Sequence, residues 1–243
     1  MSRRLGQHFL RSEAILTRIA EAVAPEREAL IYEIGPGRGA LTRLLVERCD
    51  RLIAIELDTQ LIAPLQTQFP QIEVVECDVL RYPFASGAGV ICGNLPYYIT
   101  SPIVEHILAM GATHKHAVFL VQKEVAERLA AKHHSRDYGY LSVITQLVGD
   151  VELLFPVPPG SFSPPPKVDS AVVRITPRAG ATVPPGLRKF ISRCFLQKRK
   201  TLRNNLLQLY PAIEGRVEAS LRAEQIPVER FPALFAELTN GIE

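Results

Sequence analysis

At 243 residues the chain can hold one large α/β domain plus a small appendage, since domains commonly run about 100 to 200 residues. Hydrophobic residues at 47% against 22% charged exclude a disordered chain, while a formal net charge of +3 is too small to identify a polyanionic partner by itself. No apolar run approaches the roughly 20 residues that cross a bilayer, and the start, Met1-Ser-Arg-Arg-Leu-Gly-Gln-His8, lacks the apolar core of a signal peptide. A cytoplasmic protein with no membrane partner is expected. Cys49, Cys77, Cys92 and Cys194 are dispersed and form no C-x-x-C pair, so they read as single buried thiols with neither a metal site nor a disulfide.

Arg3-Arg4-Leu5-Gly6-Gln7-His8-Phe9-Leu10 is a basic arm with apolar anchors, followed by a helical pattern at Ile15, Ile19 and Val23 that ends near Pro25. Short apolar runs then alternate with amphipathic segments. Residues 30–34, 51–55, 72–75, 89–92 and 117–121 read as strands, and 40–47, 59–68 and 102–109 as helices. This alternation predicts a doubly wound, mostly parallel, Rossmann-like α/β sheet, with ligands at the carboxyl ends of its strands. After a helical stretch at 140–146, two more strands, 148–155 and 167–175, complete seven and bracket Pro156-Val-Pro-Pro-Gly-Ser-Phe-Ser-Pro-Pro-Pro166. Six of those eleven residues are proline, so the loop is expected to be stiff and extended. A second proline-rich break, Thr182-Val-Pro-Pro-Gly186, separates a catalytic domain at 1–180 from a small all-α domain at 187–243. No internal repeat is present.

Tyr32-Glu33-Ile34-Gly35-Pro36-Gly37-Arg38-Gly39-Ala40 is a strand running into a glycine-rich turn and a helix, where glycines allow positive φ and close approach to a ligand. Gly35, Gly37 and Ala40 also satisfy the dinucleotide pattern G-x-G-x-x-G/A, which keeps a dehydrogenase in play. Glu56 ends the next strand, 21 residues after Gly35, where a carboxylate accepts hydrogen bonds from ribose hydroxyls. Asp78, at the end of the third strand, is placed to accept from an adenine amino group, although an isolated Asp there more often caps a loop. The combination says nucleoside without saying which.

Gly93-Asn94-Leu95-Pro96-Tyr97-Tyr98 is the most specific stretch. The amino lone pair of adenine is delocalised into its ring and is a poor nucleophile. If the Asn94 side-chain oxygen and the Leu95 carbonyl accept its N–H groups, the lone pair is freed and aimed. Pro96 stiffens the turn, and Tyr97 offers a face for an extruded base. Neither acceptor is a strong base, so positioning, desolvation and charge stabilisation would carry the catalysis.

Gln7-His8-Phe9-Leu10, Glu33-Ile-Gly-Pro-Gly-Arg-Gly39, Ile55-Glu-Leu-Asp58, Asn94-Leu-Pro-Tyr97, Gln122-Lys-Glu124, Tyr138-Gly139, Phe162-x-Pro-x-Pro-Lys-Val-Asp-Ser170 and Gln197-Lys-Arg-Lys-Thr-Leu-Arg-Asn204 occur in that order. Together they resemble the small-subunit ribosomal RNA adenine dimethyltransferases, whose bacterial members confer kasugamycin sensitivity. The resemblance implies a monomeric bacterial enzyme that uses S-adenosylmethionine, and no metal, to dimethylate two adjacent adenines near the 3′ end of 16S rRNA late in subunit assembly. By position His8, Leu10, Gly35, Glu56, Asp78 and Asn94 match the family's cofactor contacts, with Gly37 in the same loop. Phe162 matches an aromatic that encloses the target base opposite Tyr97. His8 stands where Asn is associated with the pattern, and Tyr98 where Asn is frequent.

Between Arg188 and Arg203 there are seven basic residues and no acidic one. On one helix Arg188, Lys189, Arg193, Arg199, Lys200 and Arg203 would fall within about 140° of arc, a face suited to phosphates. Lys198 alone would land on the apolar side, which predicts a break near Gln197. His106, His114, His116, His133 and His134 read as surface or turn residues. Two competing readings are a large-subunit rRNA methyltransferase of the macrolide-resistance type and a non-catalytic RNA-binding factor on the same fold. Asn-Leu-Pro-Tyr and Lys-Arg-Lys-Thr-Leu-Arg-Asn disfavour the first, and intact Glu56, Asp78, Asn94 and Tyr97 the second.

Overall fold

The structure is a computed structural model that describes residues 8–85, 89–111 and 114–239; the basic arm through Gln7 lies outside the described residues. In chain order the elements are β1 (Phe9–Leu10), α1 (Glu13–Val23), β2 (Glu28–Ile34), α2 (Thr42–Leu45), β3 (Cys49–Glu56), α3 (Thr59–Gln68), β4 (Glu73–Glu76) and β5 (Gly89–Asn94). There follow α4 (Thr100–Ala109), β6 (His114–Gln122), α5 (Lys123–Ala130), α6 (Tyr140–Val148), β7 (Gly149–Val157), β8 (Phe162–Ser163) and β9 (Ser170–Pro177). The chain closes with α7 (Pro185–Cys194), α8 (Leu202–Leu206) and α9 (Arg230–Thr239).

Seven strands form one sheet in the order β4-β3-β2-β5-β6-β9-β7. The pairs among β4, β3, β2, β5 and β6 are parallel, and β9 runs antiparallel to both neighbours. Successive side chains on a strand point to opposite faces, and the sheet separates its apolar residues accordingly. Tyr32, Ile34, Ile53, Ile55, Ile91, Phe119 and Val121 face one core, whereas Ile31, Leu52, Val90, Cys92, Val118 and Leu120 face the other. Burial on both faces is why these strands read as continuous apolar runs. The first core continues through α4, α5 and α6 into Leu187, Phe190, Leu202 and Phe231 of the C-terminal helices. The second is covered by α1 and α2.

The chain turns back at β2, which lies between β3 and β5, so the carboxyl ends of these strands open a crevice at the topological switch point. Across it lies a two-stranded strap. β1 pairs antiparallel with β8, with Phe9 opposite Ser163 and Leu10 opposite Phe162. The proline-rich loop is thus extended only in part, since Pro159–Ser161 forms a 3-10 turn before β8.

Three expectations need correction. Residues 123–130 form a helix that the apolar pattern does not announce, because only Val125, Ala126 and Leu129 of it are buried and the apolar stripe is narrow. The basic run is not one helical face: α7 ends at Cys194, residues 195–200 turn, and α8 begins at Leu202. The break expected near Gln197 is therefore present, and it invalidates the single 140° arc drawn through Arg188 and Arg203. Finally, His114 is no surface residue. It opens β6, is 7% exposed, and neither ring nitrogen has a partner among the described residues. Burial pushes its imidazole down to about 4. His116, two residues on and half-buried, donates through Nε2 to the Val23 carbonyl at 2.9 Å.

Candidate active site

A single cavity of about 360 Å³ occupies the switch-point crevice, within the range of small-molecule sites. His8, Leu10, Gly35, Gly37, Glu56, Asp78, Asn94, Leu95, Pro96 and Tyr97 all contribute to its wall. Ten sequence-predicted residues from five separate segments thus converge.

The turn after β2 takes its shape from its glycines. Gly35 and Gly37 have φ of +64° and +59°, a region that residues with a Cβ avoid. At Gly37 a Cβ would also lie 3.2 Å from the Phe9 ring of the strap. Its N–H, freed by this geometry, donates to Glu56 Oε2 at 3.1 Å. Glu56 is 5% exposed, and its Oε1 accepts from the N–H groups of Leu57 and Asp58, each at 2.9 Å. Three backbone donors therefore hold a buried carboxylate at the end of β3. Oε1 has both of its lone pairs taken and Oε2 one of its two, so Oε2 is the oxygen left to accept from a ligand hydroxyl. Asp78 Oδ1 accepts from Leu80 N–H at 3.0 Å and caps the 3-10 turn Val79–Arg81, the loop-capping role an isolated Asp commonly takes. Its Oδ2 has no hydrogen bond among the described residues.

Glu33, beside these groups on β2, was not singled out as a site residue in the sequence. It is 2% exposed, lines the cavity and accepts from Thr42 Oγ1 at 2.7 Å. Burial pushes its carboxyl up to about 7, with the Thr42 bond opposing and the charge of Glu56 adding to the rise. A buried acid within the strand that enters a glycine turn was the available signal.

At the end of β5, Asn94 donates through Nδ2 to the His8 carbonyl at 3.0 Å. That bond assigns the amide's orientation and leaves Oδ1 without a partner among the described residues. Leu95 is 1% exposed, and its N–H donates to the Leu120 carbonyl at 3.1 Å. The Tyr97 hydroxyl lies 2.6 Å from Ser170 Oγ on β9, and burial raises its phenol above the ordinary value despite that bond. The His8 ring faces Tyr97 with centroids 5.8 Å apart, and its Nδ1 donates to the Pro164 carbonyl at 2.8 Å. Ser170 and Pro164 had no signal in the sequence as partners of this turn, because they lie far from it along the chain.

Phe162 is not brought to the cavity. It is 4% exposed and sits in the core with Leu10, Leu16 and Ile19, while its neighbour Ser163 reaches the wall. On β8 adjacent side chains face opposite ways, and the apolar one turned inward. The aromatic ring facing Tyr97 is that of His8.

The basic residues divide into two kinds. Arg188 pairs with Glu105 at 3.5 Å, and Glu105 also accepts from the Tyr140 hydroxyl at 3.0 Å. Arg203 pairs with Glu214 at 2.7 Å. By contrast Lys189, Arg199 and Lys200 are exposed and have no acidic partner among the described residues; Arg193 is half-buried and likewise unpaired. Arg199 and Lys200 project from the turn at 195–200. Asn205 braces that turn, donating through Nδ2 to the carbonyls of Cys194 at 2.9 Å and Gln197 at 3.3 Å.

The Ribosomal RNA adenine dimethylase family model matches residues 1–239. The Ribosomal RNA small subunit methyltransferase A of Leptothrix cholodnii is 44% identical over 242 residues, covering 96% of this chain and 90% of its own. The protein of the same name from Acidobacterium capsulatum is also 44% identical, covering 98% and 91%. Among solved structures, a dimethyladenosine transferase from Plasmodium falciparum superposes with a TM-score of 0.79 at 25% identity, covering 96% of this chain and 97% of that one. The 23S rRNA methyltransferase ErmE gives 0.68 at 30% identity, covering 95% and 99%. With its cavity at the switch point of a methyltransferase sheet and a family match across nearly its whole length, the chain belongs to the ribosomal RNA adenine dimethylase family.

Proposed function

We propose that the chain transfers methyl groups from S-adenosylmethionine to the exocyclic amines of two adjacent adenines near the 3′ end of 16S rRNA, in the small subunit or its precursor. It does so as a cytoplasmic monomer. Among the described residues no helix is long and apolar enough to cross a membrane. The observation that carries the reading is the orientation of Asn94: with Nδ2 bound to the His8 carbonyl, the group left for a ligand is the acceptor Oδ1.

S-adenosylmethionine, when bound, supplies the electrophilic methyl group. Glu56 binds the ribose hydroxyls, Asp78 Oδ2 accepts from the adenine amine of the cofactor, and Gly35, Gly37, His8, Leu10 and Asn94 line its path. Asn94 Oδ1 and the Leu95 carbonyl accept the two N–H groups of the target amine. Its lone pair is then withdrawn from ring conjugation and directed at the methyl carbon. As the new C–N bond forms and the methyl–sulfur bond breaks, the sulfur keeping the bonding pair and leaving as a neutral thioether, positive charge passes to the nitrogen, where two oriented carbonyl dipoles would stabilise it. Neither is a strong base, so the surplus proton leaves to water. Tyr97, fixed by Ser170, stacks on the extruded base, a contact worth about 1 to 3 kcal/mol. Lys189, Arg193, Arg199 and Lys200 contact RNA phosphates, with Arg188 and Arg203 beside them.

The test is to incubate the protein with labelled S-adenosylmethionine and unmethylated small or large subunits and to map the label. Label on two adjacent adenines of 16S rRNA is the expected result. Label on 23S rRNA alone would favour the large-subunit reading, and no label on either the non-catalytic one.

A further inference from the structure

Tyr98 is the one exposed residue between Gly89 and Thr100, at 61% exposure. Its backbone is nevertheless held firmly. Leu95 N–H bonds the Leu120 carbonyl, and both Ile99 N–H and Thr100 Oγ1 donate to the Pro96 carbonyl, at 3.1 and 3.0 Å. Residues 97–99 form a 3-10 turn, in which successive side chains diverge by about 120°. Tyr97 is thereby turned to Ser170, while the Tyr98 hydroxyl has no partner and its ring meets no other aromatic among the described residues. Tyr98 still lines the same cavity as Asn94 and Tyr97, which puts it at the mouth.

A single exposed apolar side chain is ordinary on a protein surface. What distinguishes this one is its place on a rigid turn, one residue beyond the stacking face for the target base. Extruding a base from a strand also strips the neighbouring base of a stacking partner. We infer that Tyr98 is the platform on which the nucleotide next to the target adenine stacks, so that one turn grips two consecutive bases. Because every base has a π face, the contact is tolerant of sequence. With two adjacent target adenines, the platform receives one while the other occupies the cavity. The inference rests on the proposed RNA adenine methylation.

The experiment measures initial rates on unmethylated small subunits with the full chain and its Tyr98→Ala, Tyr98→Phe and Tyr98→Trp variants. Tyr98→Ala is expected to raise KM for the subunit about 5- to 150-fold, the range that loss of one base-stacking contact spans. S-adenosylmethionine affinity by calorimetry should be unchanged. Tyr98→Phe and Tyr98→Trp should keep the low KM, and reconstituted subunits carrying 2-aminopurine beside the target should show its fluorescence quenched by wild type and Phe but not by Ala. A KM within twofold of wild type for Tyr98→Ala, with quenching retained, overturns the inference. So does a fall in kcat at unchanged KM, and so does a Phe variant as impaired as Ala. If instead the wild-type protein leaves small subunits unmethylated, the underlying functional reading fails and the inference falls with it, an outcome distinct from failure of the Tyr98 variants alone.

Discussion

Asn94 and His8 are joined by a hydrogen bond of 3.0 Å from the side-chain amide of one to the main-chain carbonyl of the other. The end of β5 is thereby tied to the entry of β1, and the strap and the active-site turn share one anchor. For Asn94→Ala, turnover is expected to fall more than tenfold, a barrier increase above about 1.4 kcal/mol, while S-adenosylmethionine affinity changes by less than tenfold. Single-turnover rates beside calorimetry separate the two. A variant that turns over normally would mean that another acceptor aligns the amine.

Glu56 offers a finer test than simple truncation. Its Oε1 takes two N–H bonds and its Oε2 takes that of Gly37, so a Gln can satisfy the first pair but must then set an NH2 group against the Gly37 N–H. Glu56→Gln is expected to lose about 1 to 3 kcal/mol of stability, the cost of a buried donor left facing a donor. It should also bind S-adenosylmethionine at least tenfold more weakly. Denaturant unfolding and calorimetry measure these losses. Full affinity in a folded variant would show that Glu56 only knits the two loops together.

Each of Gly35, Glu56, Asp78 and Asn94 was legible in the sequence for one reason: it ends an apolar run in an α/β alternation, and that topology sends strand ends to a common crevice. Local chemistry plus connectivity sufficed there. What stayed hidden depends on long-range packing. Nothing in the chain near Tyr97 names Ser170 as its partner, and nothing near Phe162 says which face of β8 turns to the core. The run from Arg188 to Arg203 keeps helical periodicity across a point where Asn205 closes a turn, so counting at 100° per residue joined two helices into one. His114 misled similarly, since a lone His beside Lys115 carries no sign that β6 starts three residues before its apolar run.

Glu33 makes stability fall as pH rises. An unfolded carboxyl titrates near 4.5, whereas burial holds the folded one at about 7. Between those values the unfolded chain releases a proton that the folded chain keeps, so the stabilisation is complete below 4.5 and is lost by the time pH passes 7. The full effect is about 3 kcal/mol at 1.36 kcal/mol per pKa unit. Glu33→Gln can still accept from Thr42, so its stability relative to wild type should improve from pH 5 to pH 7 and level off above it. Urea unfolding at unit pH steps is the measurement, and parallel curves for the two proteins would refute the assignment.

The turn at 195–200 yields the last prediction, because its charges differ from their neighbours in what they already hold. Arg188 has Glu105 and Arg203 has Glu214, and a phosphate must compete with those carboxylates. Arg199 and Lys200 are exposed with no acidic partner among the described residues, so their charges are available at no such cost. Each phosphate contact releases counterions and adds about one unit to the slope of log affinity against log salt. Arg199→Glu with Lys200→Glu should therefore lower the slope for small-subunit binding by about two units and weaken binding strongly at low salt. Arg188→Gln and Arg203→Gln should each change it by less than one. Cofactor affinity should stay constant throughout, since all four substituted residues lie outside the cavity wall. Preference among RNA sequences should hold as well, because phosphate contacts orient without specifying. Subunit binding across a salt series for the four proteins provides the comparison. If the double variant matches wild type in slope and affinity, the turn is merely solvated, and the RNA is gripped by residues around the cavity instead.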